Sequence, residues 1–421
     1  MRYLLLAAAA LSAAAAAAAP PAPAPPLPPA QLASTALCAA YGIPDLAPYR
    51  YALPVASPTG ATTNATPIFL PYYASAPLAS AAAATTAVLF LHGLAGDAQD
   101  YFCAGLRASA GRTPPVLVLA PWFGNESTRG AYWRAADGDG SASLFWSNSR
   151  WSTGGSNTAP PRAFSTSFDL LDALLRALPR SVALASVAGF SAGAQLSGRY
   201  AFATPLGSGG AAAPRVRFIV SDAGSYLYLS PQRPAPACSP LRDTGAQHAC
   251  GAFAAPPPPA CAGYDDYKYG LQALDYLNPY LAPLASNATA LQQAVDRFPA
   301  RDVRLILGAR DACNCNTAGY ALPADGSCAP LGGSLRCAPD AYGGAGCCDT
   351  YPDSDSSNAL DVTCAAMLQG SSRLQRGLNY AAHLRQLFPG APPPRVATAA
   401  FGHNASGLFF SSAFQAAAYE L

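Results

Sequence analysis

The sequence predicts an α/β fold: a mostly parallel central sheet flanked by helices, with a cap insertion and a Cys-rich insertion. Three observations carry that expectation. Short apolar runs alternate with segments of helical periodicity from about Thr35 onward. Helical segments separate the strands, which is what parallel pairing requires, because a parallel neighbour needs a crossover connection. Two long stretches break the rhythm, residues 224–300 and 312–364. Irregular segments of that length in a compact domain usually carry a function or their own folding constraint.

The elements follow in order. "AVLFLHG" (Ala87 to Gly93) is a buried strand that ends on glycine, and "PVLVLAPWF" (Pro115 to Phe123) is a second. "FDLLDALLRALP" (Phe168 to Pro179) has apolar residues at helical spacing and stops at a proline. "SVALASVAGF" (Ser181 to Phe190) is a third strand, followed by the helix "AQLSGRYAFA" (Ala194 to Ala203). "RVRFIVSD" (Arg215 to Asp222), "DVRLILGARD" (Asp302 to Asp311) and "RVATAAFGH" (Arg395 to His403) complete the set. The stretch 224–300 is rich in Pro and Tyr and reads as a cap over one end of the sheet. The stretch 312–364 holds seven of the twelve cysteines and reads as a disulfide-stapled insertion, with surface decoration the competing reading for both stretches. No internal repeat is visible.

Composition narrows the function classes. Hydrophobic residues make up 51% of the chain, enough for a sizeable core. Charged residues make up 11%, well below the roughly 25% of an average soluble domain. The formal net charge is +2, with no clustered basic face of the kind nucleic acid demands. Residues 1–19, "MRYLLLAAAALSAAAAAAA", place one arginine before an apolar run and small residues, the pattern of a secretory signal peptide. Residues 20–34 form a Pro/Ala-rich linker, and residues 35–421 the folded domain. No later stretch is long and apolar enough for a membrane span, so none is expected after signal cleavage. Twelve cysteines, an even number, fit disulfide pairing in an oxidising compartment, with connectivity open. "CNC" and "CC" lack zinc spacing, and no metal or cofactor is expected. Sequons stand at Asn125, Asn287 and Asn404, and a poorer one at Asn64. Asn125 and Asn287 are the expected glycosylation sites. A glycan at Asn404 would obstruct the neighbouring His403.

The chemistry centres on "GFSAG". Gly189 and Gly193 flank Ser191 where a strand meets a helix, the context in which G-x-S-x-G forms a tight elbow that presents a nucleophile. A serine needs a base, an acid that orients the base, and donors aimed at the oxyanion. The helix after Ser191 points the Ala192 N–H at the site. The second donor is expected from the loop after the first strand, with Leu94 the best candidate. Among the four histidines, His92 suits a brace for that loop, His248 lies in the cap, and His383 sits in a helix. His403 follows the last strand and is the expected base. Asp311 is the favoured acid because its strand is the second after the nucleophile. Asp222, one strand after the nucleophile, is the alternative, and Asp361 in "ALDVTC" is a third candidate. The order Ser, acid, His is the one the elbow architecture uses.

The strand-HG loop, "GFSAG", "GARD" and "FGH" in this order resemble the α/β-hydrolase superfamily, over roughly Ala87 to the C-terminus. "SDAGSYLYL", "YDDYKYGLQALDYLNPY" and "LDVTCAAMLQGSSRLQRGLNYAAHL" further resemble a little-characterised branch of secreted, esterase- and depolymerase-like members. The chain departs from that branch in three places. Phe190 stands before the serine where the branch more often has His, Asp222 stands where it commonly has Asn, and the Cys-rich insertion after Asp311 is longer. The resemblance implies the α/β-hydrolase fold and a secreted serine hydrolase, acting on small or polymeric carboxylic esters through an acyl-enzyme. "LFWSNSRW" (Leu144 to Trp151) and the Tyr-rich cap are candidates for an aromatic wall around the acyl group, with burial in the core as the competing reading. The alternative function is a catalytically silent glycoprotein of the same fold acting as a binding module. The joint presence of Ser191, Asp311 and His403 argues for the enzyme.

Overall fold

The computed structural model describes residues 38, 49–53, 68–125, 143–147, 149–158, 165–207, 214–235, 249–256, 261–276, 278–309, 311, 360–361, 363–370 and 372–420. The signal peptide, the linker, nearly all of the Cys-rich insertion, Asn64 and His248 lie outside the described residues.

Eight strands form one sheet: β1 (Tyr49–Leu53), β2 (Ile68–Ala74), β3 (Thr86–Leu91), β4 (Val116–Pro121), β5 (Leu184–Phe190), β6 (Arg215–Ser221), β7 (Asp302–Gly308) and β8 (Arg395–Ala399). Their order across the sheet is β1-β2-β4-β3-β5-β6-β7-β8. β2 runs antiparallel to both β1 and β4, and the remaining neighbours are parallel. The six strands from β3 onward are those expected from the sequence, and β1 and β2 are additional. Pro71 in the middle of β2 weakens its strand signal, because proline gives no ladder donor.

Helices cover both faces. Among the described residues the longer ones are α1 (Ala98–Ala108), α2 (Ser167–Arg176), α3 (Ala192–Ala203), α4 (Ala288–Arg297), α5 (Arg373–Leu387), α6 (Ala405–Phe410) and α7 (Ser412–Tyr419), with single turns of helix at Ala282–Ala285 and, just before α5, at Cys364–Met367. Side chains of a strand alternate between faces. In β3, Val88 and Phe90 join one core with residues of α1, α6 and α7, while Ala87, Leu89 and Leu91 join the other with α2, α3 and α5. Every residue of β3 and β5 is buried, as expected for strands covered on both sides. α2 starts on a reciprocal cap, in which the Thr166 hydroxyl accepts from the Asp169 N–H and the Asp169 carboxylate from the Thr166 N–H.

The described part of the 224–300 stretch shares the larger core, through Tyr226, Tyr228, Tyr267, Leu274 and Leu281. The aromatic residues of "LFWSNSRW" are core too. Phe145, Trp146 and Trp151 are buried, Phe123 stacks on Trp151, and the Trp146 indole N–H donates to the Gly155 carbonyl. Every described cysteine is disulfide-bonded: Cys38 to Cys103, Cys261 to Cys364, and Cys250.

The parallel register brings four chain ends to one edge. Phe190 pairs with Ser221, and Ala399 with Gly308. Ser191, Asp222, Asp311 and His403 all follow these strand ends.

Candidate active site

Ser191 sits between β5 and α3 with φ 56° and ψ −116°. A non-glycine residue with positive φ is strained, by about 1–3 kcal/mol, and the surroundings hold it there. Its N–H donates to the Ser221 carbonyl, and its own carbonyl accepts the first bond of α3, from Gln195. The two flanking glycines are steric necessities. A Cβ on Gly189 would lie 2.0 Å from the Gly193 carbonyl oxygen, and one on Gly193 would lie 2.1 Å from the Leu91 carbonyl oxygen. The G-x-S-x-G pattern is thus the footprint of three backbones in close contact: β5, the start of α3 and the end of β3.

His403 lies four residues beyond β8, immediately before the Asn404 cap of α6, whose side chain accepts from the Gly407 N–H. Its Nε2 is 3.0 Å from Ser191 Oγ, and its Nδ1 is 2.6 Å from Asp311 Oδ2. A carboxylate can only accept, so Nδ1 carries the proton and Nε2 presents its lone pair to the serine hydroxyl. The Phe190 ring packs on the imidazole with centroids 4.6 Å apart.

Asp311 lies past the end of β7, which stops at Gly308 rather than running on to the aspartate. A turn carries it inward, with its N–H donating to the Gly308 carbonyl. The start of α5 holds it from the other side. The Leu374 N–H donates to its backbone carbonyl, and Arg373 Nη1 stands 3.7 Å from Oδ1. Burial alone would raise the Asp311 carboxyl. His403, Arg373 and a hydrogen bond from Asp222 outweigh burial and hold it below the ordinary carboxylate range. Arg373 escaped sequence reasoning. Ser372 and Gln375 mark a helix start, but nothing in "SSRLQR" says which way the arginine faces.

The other candidates are placed elsewhere. Asp222 is fully buried behind Asp311, and both of its oxygens accept from the Gly308 N–H. Asp361 pairs with Lys268 and accepts from the Tyr269 hydroxyl. His92 is locked between the Gly93 carbonyl, to which Nδ1 donates, and the Phe123 N–H, which donates to Nε2. Burial pushes its pKa down to about 4 against the opposing pull of the Gly93 carbonyl. His383 is buried in α5 against Tyr228, where burial pushes its pKa down to about 3. Leu94 lies in the loop after β3, 44% exposed, and Ala192 opens α3. Neither backbone N–H has an acceptor among the described residues. Asn125 forms an isolated bridge with Trp146, and Asn287 caps α4 from an exposed position.

Asp222, Asp311 and His403 bring donor atoms within 4.8 Å of one another, close enough for a metal site. Both imidazole nitrogens are already engaged, one by Asp311 and one by Ser191, so the ring has no free lone pair for a cation.

A strand–elbow–helix bearing serine, with acid and histidine following on later strand ends of a mostly parallel sheet, decides the architecture. The fold is the α/β-hydrolase fold. No protein-family model matches the chain, and no curated protein does. The solved structures that are similar include the following two. Poly(aspartic acid) hydrolase-1 from Sphingomonas sp. KT-1 is 17% identical, with a TM-score of 0.45, over 88% of this chain and 98% of that one. A poly(3-hydroxybutyrate) depolymerase from Bordetella parapertussis is 14% identical, with a TM-score of 0.42, over 91% and 93%.

Proposed function

We propose that the protein is a secreted serine hydrolase that cleaves carboxylic esters through an acyl-enzyme. The observation that carries this reading is the unbroken chain from Ser191 Oγ to His403 Nε2, 3.0 Å, and from His403 Nδ1 to Asp311 Oδ2, 2.6 Å. It lies at an elbow the fold has strained to form.

In the proposed mechanism Ser191 attacks the ester carbonyl while His403 Nε2 takes its proton. Asp311 holds the Nδ1–H and stabilises the imidazolium. The oxyanion accepts from the Leu94 and Ala192 N–H groups, which have no other acceptor among the described residues. His403 then protonates the leaving alcohol. Water, deprotonated by the same nitrogen, attacks the acyl-enzyme and frees Ser191.

The stretch 224–300 is the proposed wall of the substrate cleft. Its residue Ser225 hydrogen-bonds Gln195, one helical turn from Ser191. The substrate is a small or polymeric ester. Secretion is supported by the leader-like residues 1–19 and by the disulfide state of every described cysteine. Among the described residues no helix is long and apolar enough to cross a membrane. N-glycans are proposed at Asn125 and Asn287.

The test is an active-site-directed phosphonate probe on the purified full-length protein. Labelling that disappears in Ser191→Ala supports the reading, and failure of the folded wild type to label overturns it. A panel of alkyl and aryl esters then defines the acyl preference.

A further inference from the structure

Asp222 is a buried acid to which the proposed reaction gives no role. It has 0% exposure and a φ of 51°, in the left-handed region that a non-glycine residue occupies only under constraint. The fold makes room for its side chain at Gly308. A Cβ there would lie 2.9 Å from Asp222 Oδ2 and 2.8 Å from the Phe401 carbonyl oxygen. The Gly308 N–H reaches both carboxyl oxygens, at 3.0 and 3.2 Å. One amide is a thin supply for a group with about four acceptor sites, and the nearby guanidinium, Arg373, is directed at Asp311.

The groups that face Asp222 are few. Asp311 comes from the turn after β7 and His403 from the turn after β8. Arg373 comes from α5 and Tyr226 from the segment after β6. Donor atoms of Asp222, Asp311 and His403 lie within 4.8 Å of one another. Two carboxyl groups so close in a buried site do not both ionise. Asp311 has His403 and Arg373 to favour its charge, so the proton falls to its neighbour.

We propose that Asp222 is a neutral carboxylic acid whose O–H donates to Asp311, a positioning residue that fixes the face Asp311 turns to His403. Burial, followed by the charge of Asp311, raises the Asp222 carboxyl well above its ordinary range, against the smaller pull of the Gly308 amide and Arg373. The same hydrogen bond helps to hold Asp311 ionised. No covalent step is involved, and the proton stays on Asp222 through the cycle.

The consequence for stability has a definite sign. The folded chain binds this proton more tightly than the unfolded chain does. The contribution of Asp222 to stability is full below the unfolded value of about 3.9 and is lost as pH rises toward the folded value. Asn at this position keeps an N–H donor for Asp311 and a carbonyl acceptor for Gly308, and it has no proton to lose.

The experiment compares full-length wild type, Asp222→Asn and Asp222→Leu. Infrared difference spectra at neutral pH should show a protonated-carboxyl band in wild type that is missing in Asp222→Asn. Thermal unfolding should show Asp222→Asn gaining on wild type steadily as pH rises from about 4. The kinetic arm rests on the serine-hydrolase reading. Asp222→Asn should keep its turnover and lack the alkaline fall expected of wild type as Asp222 gives up its proton. Asp222→Leu should lose about 10-fold or more in kcat, the scale of removing a partner one shell out, with KM unchanged. No difference in the carboxyl band between wild type and Asp222→Asn overturns the proposal, and so does a Tm difference that does not change with pH. The infrared and thermal arms use no substrate, so they decide even if the protein proves not to hydrolyse esters or Asp222→Leu does not fold.

Discussion

His403 Nδ1 and Asp311 Oδ2 lie 2.6 Å apart, with both side chains buried, and this contact makes Asp311, of the three aspartates, the proposed acid. Asp311→Asn offers His403 an amide that can donate where the carboxylate only accepts, which turns the ring to the wrong tautomer. Turnover should fall by about 10⁴-fold, as for the same change in other triads. Asp361→Asn should leave turnover unchanged, because Asp361 serves Lys268 and Tyr269. Initial rates on an aryl ester check both. A larger loss in Asp361→Asn than in Asp311→Asn would sink the assignment.

The depressed Asp311 carboxyl also predicts a pH dependence of opposite sense to that of Asp222. Its ionised form is favoured in the folded chain by His403, Arg373 and Asp222, which outweigh burial. The stability it contributes is present above the unfolded value of about 3.9 and is lost as pH falls through the folded value. Urea midpoints measured from neutral to strongly acid pH should therefore fall more steeply for wild type than for Asp311→Asn. Parallel curves would mean that Asp311 is not held ionised by the fold.

Much of this site was legible because its determinants are local. Gly189, Ser191 and Gly193 are spaced for an elbow, and the order of Asp311 and His403 follows the order of strands. Strand order favours Asp311 over Asp222 as the proposed acid, and Asp311 is the aspartate that His403 Nδ1 reaches. Other features depend on contacts between distant segments. Arg373 reaches Asp311 only because α5 packs beside β7. Whether the tryptophans of "LFWSNSRW" line a cleft or fill a core depends on Phe123 and Gly155, which no spacing rule connects to them. β2 was hidden by Pro71, which the sheet accepts with Tyr72 and Ala74 buried on either side of Tyr73.

The elbow glycines predict a steric result. Gly193→Ala puts a methyl 2.1 Å from the Leu91 carbonyl oxygen, and Gly189→Ala puts one 2.0 Å from the Gly193 carbonyl oxygen. Backbone atoms cannot swing aside as a side-chain end can. Each variant should lose at least about 1–3 kcal/mol, the usual cost of overpacking, with labelling by the phosphonate lost in proportion. Gly390→Ala, where nothing lies within 4 Å of the added methyl, is the matched control and should unfold like wild type. Chemical denaturation of the three variants measures the difference.

Phe190 precedes the nucleophile, and its ring covers the imidazole of His403 at 4.6 Å. It is also part of the core beneath α6 and α7, with Phe401, Leu408 and Phe414. The two roles separate by substitution. Phe190→Ala opens a cavity and should cost about 3–5 kcal/mol, as measured by urea unfolding. Phe190→Leu fills most of that space but removes the flat face against the ring. It should unfold near wild type while kcat falls and KM holds. If Phe190→Leu matches wild type in kcat, the ring contact has no part in orienting His403.

The Cys261–Cys364 bond ties the 261–276 turns to the short helix just before α5, across 103 residues of sequence. Arg376 on α5 donates to the Gly224 carbonyl and, nearer the disulfide, to the Asp361 carbonyl. The bond therefore closes a loop around the segments that hold Asp311 and the proposed cleft wall. A cross-link over a loop of this length removes about 4.7 kcal/mol of unfolded-state freedom in the chain-entropy model. The double variant Cys261→Ser, Cys364→Ser, unfolded in urea under non-reducing conditions, should show a loss of about 2–5 kcal/mol. Turnover at temperatures well below its unfolding midpoint should stay close to wild type, because Ser191, His403 and Asp311 are held by the sheet and the start of α5. A variant that keeps its stability but loses turnover would show that the bond shapes the site directly.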